Sequence, residues 1–237
     1  RIPTDGVMLG NVLYINCLDQ AAVLADAMGD TEKAQSYREA AATAREAWNE
    51  FFIDPDTGKT KNTKGEIQDT QASYATPLRF HVVSDENLEK VLENYNASIA
   101  EASGEDSDGM PIVPYTLTTG FNATGNLLNA LSDYGLNDTA YKLFESTDYA
   151  SWLYPVTQGA TSIWERWNGY TNELGFNGNN SMNSFNHYSL GAVYEWMVAY
   201  QLGIKADESQ PGYQHFILQP TVGGDFTEAK GSYDSVY

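Results

Sequence analysis

Cysteine is nearly absent. Cys17 is the single one in 237 residues, so an internal disulfide and a cysteine zinc site are both excluded. Three scattered histidines make no His-rich metal pattern, and no metal site is expected. Positive charge is scarce: 13 Lys and Arg stand against 32 Asp and Glu, a net charge of −19 and a pI near 4.3. Such a field repels phosphate backbones, which argues against a nucleic-acid partner, and it is indifferent to a neutral ligand. No uninterrupted apolar run approaches the roughly 18 residues that a bilayer span needs, so no membrane partner is expected. The 42% hydrophobic content is enough for the core of one or two domains. What is plentiful is aromatic surface, with 16 Tyr, 9 Phe and 5 Trp.

Helical periodicity dominates the first 200 residues. From Leu9 to Met28 apolar residues recur at Leu13, Cys17, Ala21, Leu24 and Met28, which predicts one helix and places Cys17 in its core as a small hydrophobe. Gly29 breaks that helix. Asp30 or Thr31 caps a second one, with the stripe Ala34, Tyr37, Ala41, Ala44, Trp48 and Phe51, so the two form a hairpin. A second pair follows at 70–82, disturbed at Pro77, and from Ser84 through Val91, Tyr95 and Ile99. A third pair covers about 119–134 and 137–146, with Gly135 at the turn. Residues 184–202 restore helical spacing through Val193, Trp196, Met197 and Tyr200. After Gln210 the β-formers bunch between Gly and Pro, and Tyr233–Tyr237 reads as a strand. Successive helical hairpins fit a solenoid or a closed α/α toroid. The lack of a repeat at the sequence level favours the toroid.

The chemistry concentrates in "SWLYPVTQGATSIWERWNGYTNELGFNGNNSMNSFNHY" (151–188), which holds three of the five tryptophans. Sugar rings present apolar C–H faces edged by hydroxyls, so a site for them needs aromatic platforms and a few hydrogen-bonding groups. Trp164-Glu165-Arg166-Trp167 supplies both within four residues, and the loop 168–183 is too long for a routine connector. In a toroid, the loops joining paired helices build the concave end. Trp152, Trp167, Phe121 and Tyr188 are the candidates for lining it. Other features have plainer readings. "DPDTG" (54–58) and "EDSDG" (105–109) look like pieces of calcium loops but are explained by turn chemistry. His81 and His215 have no partnered pattern, and Trp48 and Trp196 fall on core stripes.

"QGATSIWERWNG" (158–169) followed by "MNSFNHYSLGAVYEWM" (182–197) resembles the C-terminal half of the catalytic domain of the bacterial α-L-rhamnosidases, glycoside hydrolase family 78. "DTQASYATPLRF" (69–80), "LTTGFNATGNLLNALSDYGLNDTAYKLF" (117–144) and the segment 211–237 agree in order and spacing. The resemblance implies a mainly α fold, with half of an (α/α)6 barrel over residues 1–205 and the first strands of a β-sandwich over 206–237. It also implies hydrolysis of terminal α-L-rhamnose from glycosides with inversion and without an organic cofactor. The family's general base falls on Glu165 and its pocket histidine on His187. Trp152, Trp164, Trp167, Arg166, Phe121 and Tyr188 complete the expected sugar-binding set. Asn168 stands where an Asp is common.

Arg166 or a nearby donor is expected to keep Glu165 ionised. The family's general acid lies in an acidic motif upstream, and no segment here matches it. The chain opens on Arg1 and stops inside the terminal strand, so it reads as a piece of a longer polypeptide, inactive alone and open to self-association through uncovered helix faces. Two other readings stay open: a different (α/α)6 glycosidase or phosphorylase, and a non-catalytic helical sugar-binding module.

Overall fold

The computed structural model describes residues 2–176 and 181–236. The middle of the 168–183 loop and the last residue of the expected terminal strand lie outside them. Within the chain two compact units separate, Arg1–Ser98 and Ile99–Tyr237.

The first unit is built on a helical hairpin, α1 (Gly6–Ala27) and α2 (Thr31–Phe52). Asp5 caps α1 by accepting the N–H groups of Val7 and Met8, and Asp30 caps α2 through Lys33 N–H. Gly29, at φ 78°, makes the turn between them. The cross-links run in opposite directions along the two helices, as an antiparallel pair requires. Arg38 meets Asp26, Arg45 meets Asp19 at 2.6 Å, and the Trp48 indole N–H donates to Met8 C=O at 3.2 Å.

The buried face of α1 is not the expected stripe. Met8, Val12, Ile15, Ala22 and Ala25 are inside, whereas Leu13, Leu24 (65% exposed) and Met28 (85% exposed) face out. Cys17 is exposed as well, so it is not a core residue. The reason is composition. α1 is apolar around its whole circumference, and by length and composition alone it is apolar enough to cross a membrane. Such a helix contains two plausible stripes, and packing against Trp48 and its neighbours chooses between them. On α2 the stripe holds except at its end, where Phe52 is buried and Phe51 is not.

α3 (Gln71–Arg79) starts with a reciprocal cap between Thr70 and Ser73 and ends two residues after Pro77. Asn49 of α2 ties down the following turn, donating to Val82 C=O and accepting from Ser84 N–H. α4 (Asp85–Ala100) then presents Val91, Tyr95 and Ile99 as buried residues.

The second unit opens with a short hairpin, β1 (Gly104–Glu105) and β2 (Pro111–Ile112). α5 (Phe121–Asp133) and α6 (Asn137–Glu145) follow, joined through Gly135 at φ 77°. After a single turn, α7 (Tyr154–Thr157), the chain runs irregularly to a last helical stretch. That stretch begins at Ser189, not at Ser184. It passes from a 3₁₀ turn (Ser189–Ala192) through α8 (Val193–Trp196) to a π-helical turn (Met197–Gln201).

Trp196 is the centre of this unit's core, edge-on to Tyr141 at 5.1 Å and donating its indole N–H to Ser132 Oγ at 2.9 Å. Gly125 of α5 lets the last helix approach, since a Cβ there would lie 3.1 Å from that of Ala192. β3 (Ile204–Ala206) pairs antiparallel with β4 (Phe216–Leu218), and His215 pairs with Asp207 at 2.8 Å, a partner its sequence context did not reveal. Residues 233–236 form no strand, contrary to expectation; Tyr233 instead stacks on Tyr213 at 4.1 Å.

Candidate active site

All eight residues singled out from the sequence belong to the second unit. The segment carrying Glu165 and the segment carrying His187 are fastened side by side through the backbone. His187 N–H donates to Ile163 C=O at 2.8 Å, and Glu165 N–H donates to Ser184 C=O at 2.9 Å. The Glu165 carboxylate closes the arrangement: its Oε2 accepts Ser184 N–H at 2.8 Å. These bonds occupy the backbone of 184–187 and delay the last helix until Ser189. A half-exposed carboxylate held by a backbone N–H has its orientation set before any ligand arrives.

Phe121, the first residue of α5, stacks on the His187 ring at 4.9 Å and 19°, and Tyr188 stacks near that ring at 5.4 Å and 10°. The imidazole is thus flanked by two rings. Its Nδ1 accepts Ser189 N–H at 3.4 Å, which assigns the proton of the neutral ring to Nε2 and makes that edge a donor. Tyr188 is 87% exposed and Phe121 36% exposed, so one end of the stack is wet.

Beside this lies a cavity of about 340 Å³, within the size range of small-molecule sites. Trp152, Trp164 and Trp167 line it, with Pro155, Ile163 and Leu190 as aliphatic walls and Arg166 as its charged group. The rings are fixed by their own bonds. Trp152 donates to Leu190 C=O at 2.9 Å, Trp167 donates to Thr119 C=O at 3.0 Å, and the two indoles meet edge to face at 6.1 Å. Trp164 packs edge-on against Phe185 at 5.1 Å. Glu165, His187, Phe121 and Tyr188 do not line this cavity, so the eight candidates fall into a cavity group and a neighbouring carboxylate–imidazole group.

Arg166 does not pair with Glu165. Its charge partner is Asp108, at 3.7 Å, and the same carboxylate oxygen accepts from Asn168 Nδ2 at 3.2 Å. Asp108 sits at the tip of the β1–β2 hairpin, which Asp106 braces by accepting the N–H groups of Asp108 and Met110 at 2.8 and 3.0 Å. Asp106 also accepts the Tyr149 hydroxyl at 3.1 Å. Burial, then the charge of Asp106, pushes the Tyr149 phenol well above its ordinary pKa, so it stays a donor.

The family model described as the bacterial α-L-rhamnosidase six-hairpin glycosidase domain matches residues 2–200, and that of the α-L-rhamnosidase C-terminal domain matches residues 203–237. The chain belongs to the bacterial α-L-rhamnosidase family. It is 32% identical over 234 residues to an α-L-rhamnosidase of Formosa agariphila, covering 99% of this chain and 23% of that protein. It is also 32% identical over 230 residues to one of Streptomyces avermitilis, covering 97% and 20%. Among solved structures, the S. avermitilis α-L-rhamnosidase complexed with L-rhamnose superposes with a TM-score of 0.74 at 31% identity, over 91% of this chain and 19% of that one. The Aspergillus terreus α-L-rhamnosidase gives 0.79 at 26% identity, over 94% and 23%. The chain therefore spans a fifth to a quarter of the length of these relatives. Its fold is that of the rhamnosidase six-hairpin domain, mainly helical; of its two small sheets, β1–β2 lies inside the six-hairpin match and β3–β4 lies within the residues matched by the C-terminal domain model.

Three parts of this candidate site escaped the sequence reading: Asp108, the donor role of Asn168, and Ser184. Asp108 lies 60 residues before Asn168 in an acidic loop that reads as an ordinary turn. Ser184 acts through its backbone N–H and C=O, which every residue type offers.

Proposed function

We propose that this chain is the base-bearing part of an inverting α-L-rhamnosidase. In this reading Glu165 takes a proton from a water molecule whose oxygen attacks the anomeric carbon from the face opposite the glycosidic bond. The leaving oxygen is protonated by a carboxylic acid roughly 6.5–9.5 Å from the base, the separation that leaves room for the water. No counterpart of the family's upstream acidic motif stands in this chain, so that acid belongs to a preceding segment and the 237 residues alone turn nothing over. The observation that carries the reading is the Glu165 carboxylate anchored by Ser184 N–H beside an aromatic-walled cavity. A carboxylate serves as a base when it is oriented and within reach of the proton it removes, and the backbone bond supplies the orientation.

The sugar's C–H face packs on indoles of the cavity, its hydroxyls meet Arg166, and the Nε2–H of His187 bonds a hydroxyl or the water, with Phe121 and Tyr188 holding the ring. A relative solved with L-rhamnose supports the substrate class. The division between catalytic and β domain is placed at about residue 205, supported by the change of family between residues 200 and 203 and by β3 starting at Ile204. In the isolated chain the exposed apolar face of α1, with Leu13, Leu24 and Met28, is covered by a second copy.

The test is Glu165→Gln in the full-length polypeptide, assayed on p-nitrophenyl α-L-rhamnoside. kcat should fall by about 10²- to 10⁴-fold while binding of L-rhamnose is kept, because a general base acts on the transition state. Unchanged kcat, or turnover by the 237-residue chain by itself, would overturn the assignment.

A further inference from the structure

We infer that Asp108 is a positioning residue of this site, acting through Arg166 and Asn168; the inference rests on the catalytic reading above. Three observations combine. The hairpin that bears Asp108 is internally braced, because Asp106 accepts two of its N–H groups on one oxygen and the Tyr149 hydroxyl on the other. One oxygen of Asp108 then meets two groups at once, Arg166 Nη2 at 3.7 Å and Asn168 Nδ2 at 3.2 Å. Those two groups follow the candidate base directly in the chain: Arg166, the next residue, lines the cavity, Trp167 between them is one of its walls, and Asn168 is buried.

A half-exposed ion pair of this length adds little to folding stability. Its consequence is geometric and electrostatic. Asp108 draws the guanidinium to one side of the cavity and offsets its charge next to Glu165. The amide of Asn168 is the group that makes this possible, since it can donate to Asp108, whereas a carboxylate in its place would set two negative charges 3.2 Å apart.

The pair should therefore be exchangeable. In the full-length polypeptide, Asn168→Asp is expected to lower kcat/KM for p-nitrophenyl α-L-rhamnoside by about 10- to 100-fold, the scale of a small misplacement of reacting groups. Asp108→Ala is expected to act mainly by raising KM, because Arg166 is freed. The double variant Asp108→Asn/Asn168→Asp, which swaps the donor and the acceptor, should recover kcat/KM to within a few-fold of the wild type. Asn168→Asp, which buries a second carboxylate beside Asp108, should also lower the melting temperature, and the swap should restore it; Asp108→Ala should melt close to the wild type, and Glu165→Gln should remain inactive in each background. Two results would overturn the inference: no recovery in the swap, or a loss of activity in Asp108→Ala that simply tracks its melting temperature. An inactive wild type would remove the catalytic reading and this role with it. An active wild type with independent effects at 108 and 168 would remove the positioning role alone.

Discussion

Replacing Trp167 by Phe keeps a ring against Trp152 but deletes the indole N–H that reaches Thr119 C=O at 3.0 Å. Trp167 is buried, so the orphaned carbonyl has no easy access to water, and an unpaired buried acceptor costs about 1–3 kcal/mol. The smaller ring adds a few tenths to 1 kcal/mol for lost contact. The expected loss is therefore about 2–3 kcal/mol. Near the midpoint this lowers the melting temperature by roughly 4–12 °C, at about 2–4 °C per kcal/mol for a chain of this length. Trp152→Phe is expected to cost a similar amount, since its N–H bonds Leu190 C=O at 2.9 Å. Trp164→Phe is the internal control: its indole N–H has no hydrogen bond among the described residues, and its contact with Phe185 survives in a phenyl ring. Differential scanning fluorimetry, checked by urea unfolding followed by circular dichroism, ranks the three. Equal losses at 152, 164 and 167, or no loss at 167, would show that ring volume and not the N–H bonds fixes the cavity walls.

Acid should act on the first unit through Asp5. Its carboxyl is lowered from 3.8 to about 2, foremost by the Thr63 backbone N–H, against some desolvation, with the Thr63 hydroxyl and the N–H groups of Met8 and Val7 adding to it. A depressed carboxyl stabilises the fold above its unfolded pKa and loses that contribution as pH falls through the folded one. Asp5→Asn should therefore cost about 1 kcal/mol at neutral pH, discounted for solvent exposure, and progressively less as pH falls from about 4 to 2, with only a small part left there. Urea midpoints at pH 7, 4 and 2.5 check this, and a gap independent of pH would refute it. The apolar face of α1 should make the isolated chain sediment as a dimer or larger, and Leu24→Asp should return it to monomer; a wild-type monomer at micromolar concentration would contradict the expectation.

Much was readable from local pattern alone. The cap at Asp30, the turn at Gly135, the stripe of α2 short of its last residue, and the core places of Trp48 and Trp196 follow from spacing, because they depend on residues a few positions apart. The Trp-Glu-Arg-Trp segment stood out for the same reason, since it brings aromatic platforms and charged groups together within four residues. What periodicity could not decide is what depends on partners far along the chain. α1 is apolar on every side, so its own sequence left two faces open until α2 took one. Residues 184–188 carry helical spacing, yet their backbone is spent on Ile163 and Glu165 some 20 residues upstream. Arg166 stands next to Glu165 in sequence but turns to Asp108, and His187 finds its flanking ring in Phe121. Composition and short-range order set which helices form and which residues bear chemistry. Chain folding over separations of 20 to 60 residues decided which of those groups face one another, because hydrogen bonds and ion pairs answer to distance in space and not to distance in sequence.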